Sequence, residues 1–275
     1  MKFGSVCSGI EAASVAWPFW EAAWFSEIEP FPCSVLKHHY PDVPNHGDMT
    51  QFQEWNDEPI DLLCGGTPCQ SFSMAGLRTG LCDPRGNLML TYLAIANKYR
   101  PEWLIWENVE GVLSANRGRD FGVFLGGLAA IGYGFAYRLL DARNFDTSAT
   151  RRFRVFVVAN RKSWKRAAKT LFEPQSLEWA NKKERGEGHR LPMFTTCQGG
   201  VSLERLSQCF IEDNGRIRYL TSNEALECMG FPRDYLDGID GSESARIKAI
   251  GNSWAVPVVR WIGERINNQQ GHTNE

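Results

Sequence analysis

Short apolar runs alternate along this chain with longer segments whose apolar positions recur every three or four residues, the pattern of strands joined by helices. Residues 2–6 read as a first strand, and Cys7-Ser8-Gly9-Ile10-Glu11 as a tight turn after it. Helix formers then fill 12–22, interrupted by Pro18. A second strand over 22–26 ends at Glu27-Ile28-Glu29, Pro30 opens a helix to about residue 40, and a short third strand precedes Gly47-Asp48-Met49. Residues 60–63 form a buried strand closed by Gly65-Gly66, and 86–98 an amphipathic helix ended by Pro101. Residues 103–106 read as a fifth strand running into Glu107-Asn108-Val109; 120–131 read as helix, and 135–140 and 153–159 as strands. From about 161 the periodicity weakens and turn signals gather, as at Gly199-Gly200 and Asp213-Asn214-Gly215. A helix at 222–229 and an apolar run at 247–266 follow. The expectation is an α/β fold in two parts: a large domain of residues 1–160 and 245–275, and a smaller one of 161–244.

Composition narrows this picture. With 275 residues, 43% of them hydrophobic, the chain can bury a sizeable core. It has no apolar run of about 18 residues and no apolar signal region, so a cytoplasmic protein outside the membrane is expected. Eight cysteines in a chain this long, with no C-x-x-C pair, read as reduced thiols rather than as a disulfide framework or a metal site. The net charge is only −2, but it is unevenly spread. Residues 1–60 carry two Lys/Arg against nine Asp/Glu, while 151–190 carry twelve against four. Such a basic block is either a solvated helix face or a surface for a polyanion.

The candidate chemistry gathers at strand ends. Cys69, in the loop Gly65-Gly66-Thr67-Pro68-Cys69-Gln70, sits just past a strand, where open α/β sheets place their active crevice; a cysteine alone there reads as a small gap-filler, and its neighbours turn the reading toward chemistry. The Gly turn at Ser8-Gly9-Ile10 sets backbone N–H groups before a helix but is not G-x-G-x-x-G. Glu27, about 20 residues on, is either a surface carboxylate or an acceptor for ribose hydroxyls. Asp48 either caps the next segment or accepts from an adenine amino group. Glu107 is a second acid aimed at the same crevice, or a cap. Arg152 and Arg154 share a strand face, and unpaired guanidiniums there imply an anionic partner.

The ordered set Pro68-Cys69-Gln70, Glu107-Asn108-Val109, Arg152-Phe153-Arg154 and Gly251-Asn252-Ser253 resembles the DNA cytosine-5 methyltransferase family of bacterial and phage type. The likeness covers roughly residues 2–160 and 216–266. It implies a Rossmann-like mixed sheet of the S-adenosylmethionine-dependent type with a smaller DNA-recognition domain. It also implies a set of roles: Cys69 as nucleophile, Glu107 as the acid at the cytosine ring, and Arg152 and Arg154 at its O2 and the adjoining phosphate. For S-adenosylmethionine it implies Ser8, Gly9 and Ile10 at the methionine part, Glu27 at the ribose, Ile28 on adenine and Asp48-Met49 at its edge. Gly66, Pro68, Leu88, Asn252 and Ser253 would close that pocket. The chain departs from the family pattern at Cys7, where an aromatic is usual, near Glu11, where a Gly is usual, and at Trp106 and Thr150. The implied partner is double-stranded DNA, with no metal and a monomeric enzyme. Other readings are a tRNA cytosine-5 methyltransferase of the same fold, a catalytically silent DNA-binding homologue, and an NAD-dependent Rossmann enzyme.

Overall fold

A computed structural model describes residues 1–68, 88–145, 150–172, 210–213 and 216–270. Six strands make one mixed sheet: β1 (Lys2–Val6), β2 (Glu21–Ser26), β3 (Leu62–Gly65), β4 (Trp103–Val109), β5 (Gly134–Asp141) and β6 (Phe153–Asn160). Their order is β2-β1-β3-β4-β6-β5. β1 pairs in parallel with β2 and β3, and β3 with β4, whereas β6 is antiparallel to both β4 and β5. The central strands are apolar on both faces because helices cover both. Trp103 and Ile105 join Phe3, Leu62, Phe156 and Val158 in one core, while Leu104 and Trp106 join Leu63, Val155 and Val157 in the other.

Helices α1 (Ala12–Ala16), α2 (Pro30–His39), α5 (Trp164–Phe172), α6 (Ser222–Met229), α7 (Glu243–Asn252) and α8 (Val256–Asn268) supply side chains to the first core. Helices α3 (Leu88–Tyr99) and α4 (Arg119–Ala130) supply the second. α8 reaches α1 closely because Gly263 has no side chain: a Cβ there would lie 2.1 Å from Trp17 Nε1, which donates to Val259 O at 2.7 Å. Strands β7 (Phe210–Asp213) and β8 (Arg216–Tyr219) form a separate antiparallel pair. Arg218 ties it to α6 through two bonds to Glu224, at 2.9 and 2.8 Å. Among the described residues no helix is long and apolar enough to cross a membrane.

Four expectations are corrected. The helix expected over 12–22 stops at Ala16, because Trp17 precedes Pro18 and takes φ −120°. The short third strand is a single bridge, Phe25 to Asn45, since Pro41 and Pro44 bring no N–H to a ladder; the expected fifth strand is therefore β4, and Glu107 lies within it. The terminal apolar run is two helices, broken at Ser253-Trp254-Ala255. Finally, α5 and α6 lie in the stretch assigned to the small domain, yet Ala167, Leu171, Ala225 and Leu226 are buried in the large sheet's core. Part of the basic block is also spent internally: Lys162 and Arg166 both pair with Glu102 beside β4. The turn signals at Gly199-Gly200 and Asn214-Gly215 lie outside the described residues.

Candidate functional site

Strand order reverses on either side of β1, and such a switch point opens a crevice beyond the strands' carboxyl ends. A cleft lies there, enclosing about 380 Å³ with its solvent mouth. The turn from β1 to α1 forms one wall, Gly65 and Gly66 at the end of β3 and Glu107 on β4 another, and Asn252-Ser253-Trp254 a third.

The β1–α1 turn is wound tightly: Cys7, Gly9 and Glu11 have φ of 49°, 57° and 61°. The Gly9 N–H donates to Glu27 Oε2 at 2.8 Å, while Ile28 and Glu29 donate to Oε1 at 2.7 and 2.8 Å. Glu27 thereby fixes the turn against the end of β2. Ile28 beside it is 67% exposed, an apolar surface open to a flat ring. Asp48 accepts from Thr50 N–H at 2.8 Å, so it is the cap that one of its two readings required. Met49 is buried, its sulfur 3.7 Å from Cys7 Sγ. Burial, with the charges of Glu27 and Asp48, pushes the Cys7 thiol up to about 12. Cys64 is raised as well, burial again the main cause, so neither thiol is a nucleophile near neutrality.

Ser8, Gly9, Gly66, Asn252 and Ser253 all reach the cleft. The other residues expected there, Ile10, Glu27, Ile28, Asp48, Met49, Pro68 and Leu88, do not line it. Ile10 has its side chain in the core and its carbonyl taken by Tyr235 OH at 2.9 Å, and Leu88 packs on the α3–α4 side. Pro68 is half-buried, and Cys69, the next residue, lies outside the described residues.

Glu107 and Arg154 meet because of strand register. Glu107 is opposite Phe156, so Arg154, two residues back on β6, is its diagonal neighbour on the same face. Arg154 Nε lies 2.9 Å from Glu107 Oε1 in an ion pair, but outside hydrogen-bonding angle, so Oε1 keeps capacity for a further donor. The Trp254 indole donates to Oε2 at 3.2 Å. Burial raises the Glu107 pKa, and Arg154, Arg152 and Trp254 oppose it. Gly66 makes this possible: a Cβ there would be 2.6 Å from Glu107 Oε2 and 3.1 Å from Trp254 Nε1.

The arginines differ from expectation. The anion paired with Arg154 is Glu107 of this same chain. Arg152 is 2% exposed and donates to Ser253 O at 2.7 Å, so it positions the Gly251-Asn252-Ser253 segment instead of presenting itself to a ligand. Burial first, then Arg154's like charge, lowers it to about 9, which leaves it cationic at neutrality. Thr150 bonds Cys228 O at 3.2 Å, inside the fold.

Sequence reasoning missed three residues. Trp254 follows Gly251-Asn252-Ser253 directly, and only its indole N–H hinted at a polar task. Thr67 is held from two sides, by Trp106 Nε1 at 3.0 Å on its hydroxyl and Asn108 Nδ2 at 2.8 Å on its carbonyl. This explains why an amide stands beside Glu107: it anchors the strand-to-loop turn two residues before Cys69. Glu11 is the third.

Comparison with known proteins places this geometry. The family model described as C-5 cytosine-specific DNA methylase matches residues 1–194 and 180–268. A DNA N-6-adenine-methyltransferase of Escherichia phage P1 is 37% identical over 267 residues, covering 77% of this chain and 35% of that protein. The type II methyltransferase M1.ScrFI of Lactococcus lactis subsp. cremoris is 28% identical over 285 residues, covering 90% of this chain and 72% of that protein. The chain thus spans about a third of the phage P1 protein's length. Among solved structures, the S. pombe Dnmt2 methyltransferase superposes with a TM-score of 0.69 at 16% identity, covering 98% of this chain and 99% of its own. The structure named as that of a putative DNA modification methyltransferase encoded within an E. coli prophage gives 0.67 at 16%, covering 99% and 100%. At such identity these two bear on the fold alone.

Proposed function

Because the chain belongs to the C-5 cytosine-specific DNA methylase family, we propose that it methylates C5 of cytosine in double-stranded DNA with S-adenosylmethionine as donor. One observation carries the reading: a buried carboxyl, Glu107, clamped between Arg154 and Trp254 with one oxygen still open, beside the anchored turn that leads to Cys69.

Cytosine C5 is a poor nucleophile. Attack of the Cys69 thiolate on C6 forms an S–C bond, breaks the ring's aromaticity and moves an electron pair toward N3. Glu107, hydrogen-bonded at N3, stabilises that charge, and burial favours the protonated form this needs. C5, now enamine-like, takes the methyl group; its proton then leaves to a base, the electron pair re-forms the double bond, and the thiolate departs. S-adenosylmethionine, when bound, supplies the methyl group as an electrophile on its sulfonium. The residues present suit that donor: Glu27 and the wound turn at the amino-acid and ribose end, exposed Ile28 for the base, and the Gly66 gap toward Glu107. A stacked base cannot enter this cleft, so the target leaves the duplex at a cost of a few kcal/mol. We assign contact with the duplex to the smaller domain within 161–244.

The phage P1 relative is named for adenine N6, whose amine needs no thiol attack; the readout below separates the two products. Bisulfite sequencing of DNA from cells expressing the protein should show 5-methylcytosine within one short sequence. The Cys69→Ser variant should leave none while still retarding duplex DNA on a gel. Undiminished cytosine methylation by that variant contradicts the nucleophile.

A further inference from the structure

Glu11 occupies a place that its backbone disfavours. Its φ of 61° is the left-handed region, where a side chain costs about 1 kcal/mol. Its side chain is fully buried yet lines the cleft. Oε1 accepts from Ser14 N–H at 3.2 Å and from Ser14 Oγ at 3.3 Å, capping α1. Oε2 is buried and receives no well-formed hydrogen bond, with the Ser5 side chain as the polar neighbour of the carboxyl. Among the described residues no cation pairs with it. Burial pushes its carboxyl up to about 7, with Glu27's charge adding and bonds from Ser5 and Ser14 opposing.

Capping alone does not require this arrangement, since a Ser or Asp caps a helix without stranding a buried oxygen. Glu27, the neighbouring acid, already receives three backbone N–H groups. At the β1–α1 turn the buried carboxylate oxygen without a well-formed bond is therefore Glu11 Oε2. An N–H cation satisfies both its charge and its missing bond; a sulfonium, which carries no N–H, satisfies the charge alone.

We infer that Glu11 binds the primary ammonium of the amino-acid part of S-adenosylmethionine, through a charge-assisted hydrogen bond to Oε2. This rests on the reading that the cleft takes that donor. It also explains why an acid stands where the family resemblance has Gly.

The titratable groups facing Glu11 are Glu27 at the end of β2, Tyr40 after α2, Cys64 on β3 and Tyr235 after α6. Burial raises the two tyrosines and the thiol, which stay neutral at pH 6 to 8. Glu27 is controlled for by a ligand that differs only in the ammonium.

The test is isothermal calorimetry with S-adenosylhomocysteine and its deaminated analogue, on the wild type and on Glu11→Gln. The variant should weaken S-adenosylhomocysteine about 30-fold and leave the deaminated analogue unchanged. Equal weakening of both ligands, or of neither, overturns the inference, and so does a loss confined to S-adenosylmethionine, which would put Glu11 at the sulfonium. Should Glu11→Gln fail to fold, the wild type still decides. Its affinity for S-adenosylhomocysteine should fall about tenfold from pH 8 to pH 6 as Glu11 takes up a proton, while the analogue's stays flat. Parallel profiles for both ligands overturn it. A wild type that binds neither S-adenosylhomocysteine nor S-adenosylmethionine removes the cofactor reading itself, and this inference with it.

Discussion

Two buried glutamates line the cleft, and they are held in opposite ways. Glu107 arrives on β4 with its charge already matched by Arg154 across the ladder and Arg152 nearby, and with Trp254 bonded to Oε2, while Oε1 keeps room for a donor. Glu11 arrives on a strained turn with a cap for one oxygen and no well-formed bond for the other. Burial raises both acids, but only at Glu107 do built-in cations push back. The difference separates chemistry from binding. A group that must act on a transient species is best arranged beforehand, because no reorganisation is then needed during reaction. A group that recognises a stable cation can leave the countercharge to the ligand.

Breaking the arrangement at Glu107 should have the largest effect. Glu107→Gln should slow methyl transfer by about 10²- to 10⁴-fold while the protein stays folded at the assay temperature, read as labelled methyl incorporated into duplex DNA beside a thermal melt. Near-normal turnover would remove Glu107 from the chemistry. Arg154→Met strands Glu107 instead, and should cost about 3–5 kcal/mol in urea unfolding at pH 8. The loss should shrink at pH 5, where Glu107 can take a proton, and in the double variant Arg154→Met/Glu107→Gln. A pH-independent loss would mean that Arg154 matters through packing alone.

The arrangement at Glu11 predicts a smaller effect with a definite sign. Glu11 stands at about 7 in the fold against an ordinary 4.5, so the ligand-free folded state holds its proton more tightly than the unfolded chain. The stability this contributes is fully present below about pH 4.5 and is lost as pH rises through 7, by about 3 kcal/mol. Urea titrations of wild type and Glu11→Gln across that window should diverge accordingly. Identical slopes would mean that Glu11 is not held as an acid.

Much of this was legible in residue order because strand ends announce themselves. Apolar runs closed by Gly or by an acid located β1, β2, β3 and β4, and with them Ser8, Gly9, Gly66 and Glu107. Register was not legible: the pairing of Glu107 with Arg154 needs β6 antiparallel beside β4, and alternation showed only that Arg152 and Arg154 share a face. Nor could periodicity show that α5 and α6 return to the large core, since Lys162 and Arg166 look like solvent charges until Glu102 is found opposite them. Trp254 was hidden for a related reason. An indole beside a small-residue triad reads as packing until the Gly66 gap brings a carboxyl to its N–H.

The most direct test of the central claim uses the one step that leaves a lasting trace. A duplex with 5-fluorocytosine in place of the methylated base cannot lose a proton from C5, so the attacked ring stays attached to the enzyme. With S-adenosylmethionine present, the account predicts a protein–DNA species that survives denaturation and maps by peptide mass to Cys69. Absence of that species, under conditions where duplex and donor are both shown to be bound, would contradict it.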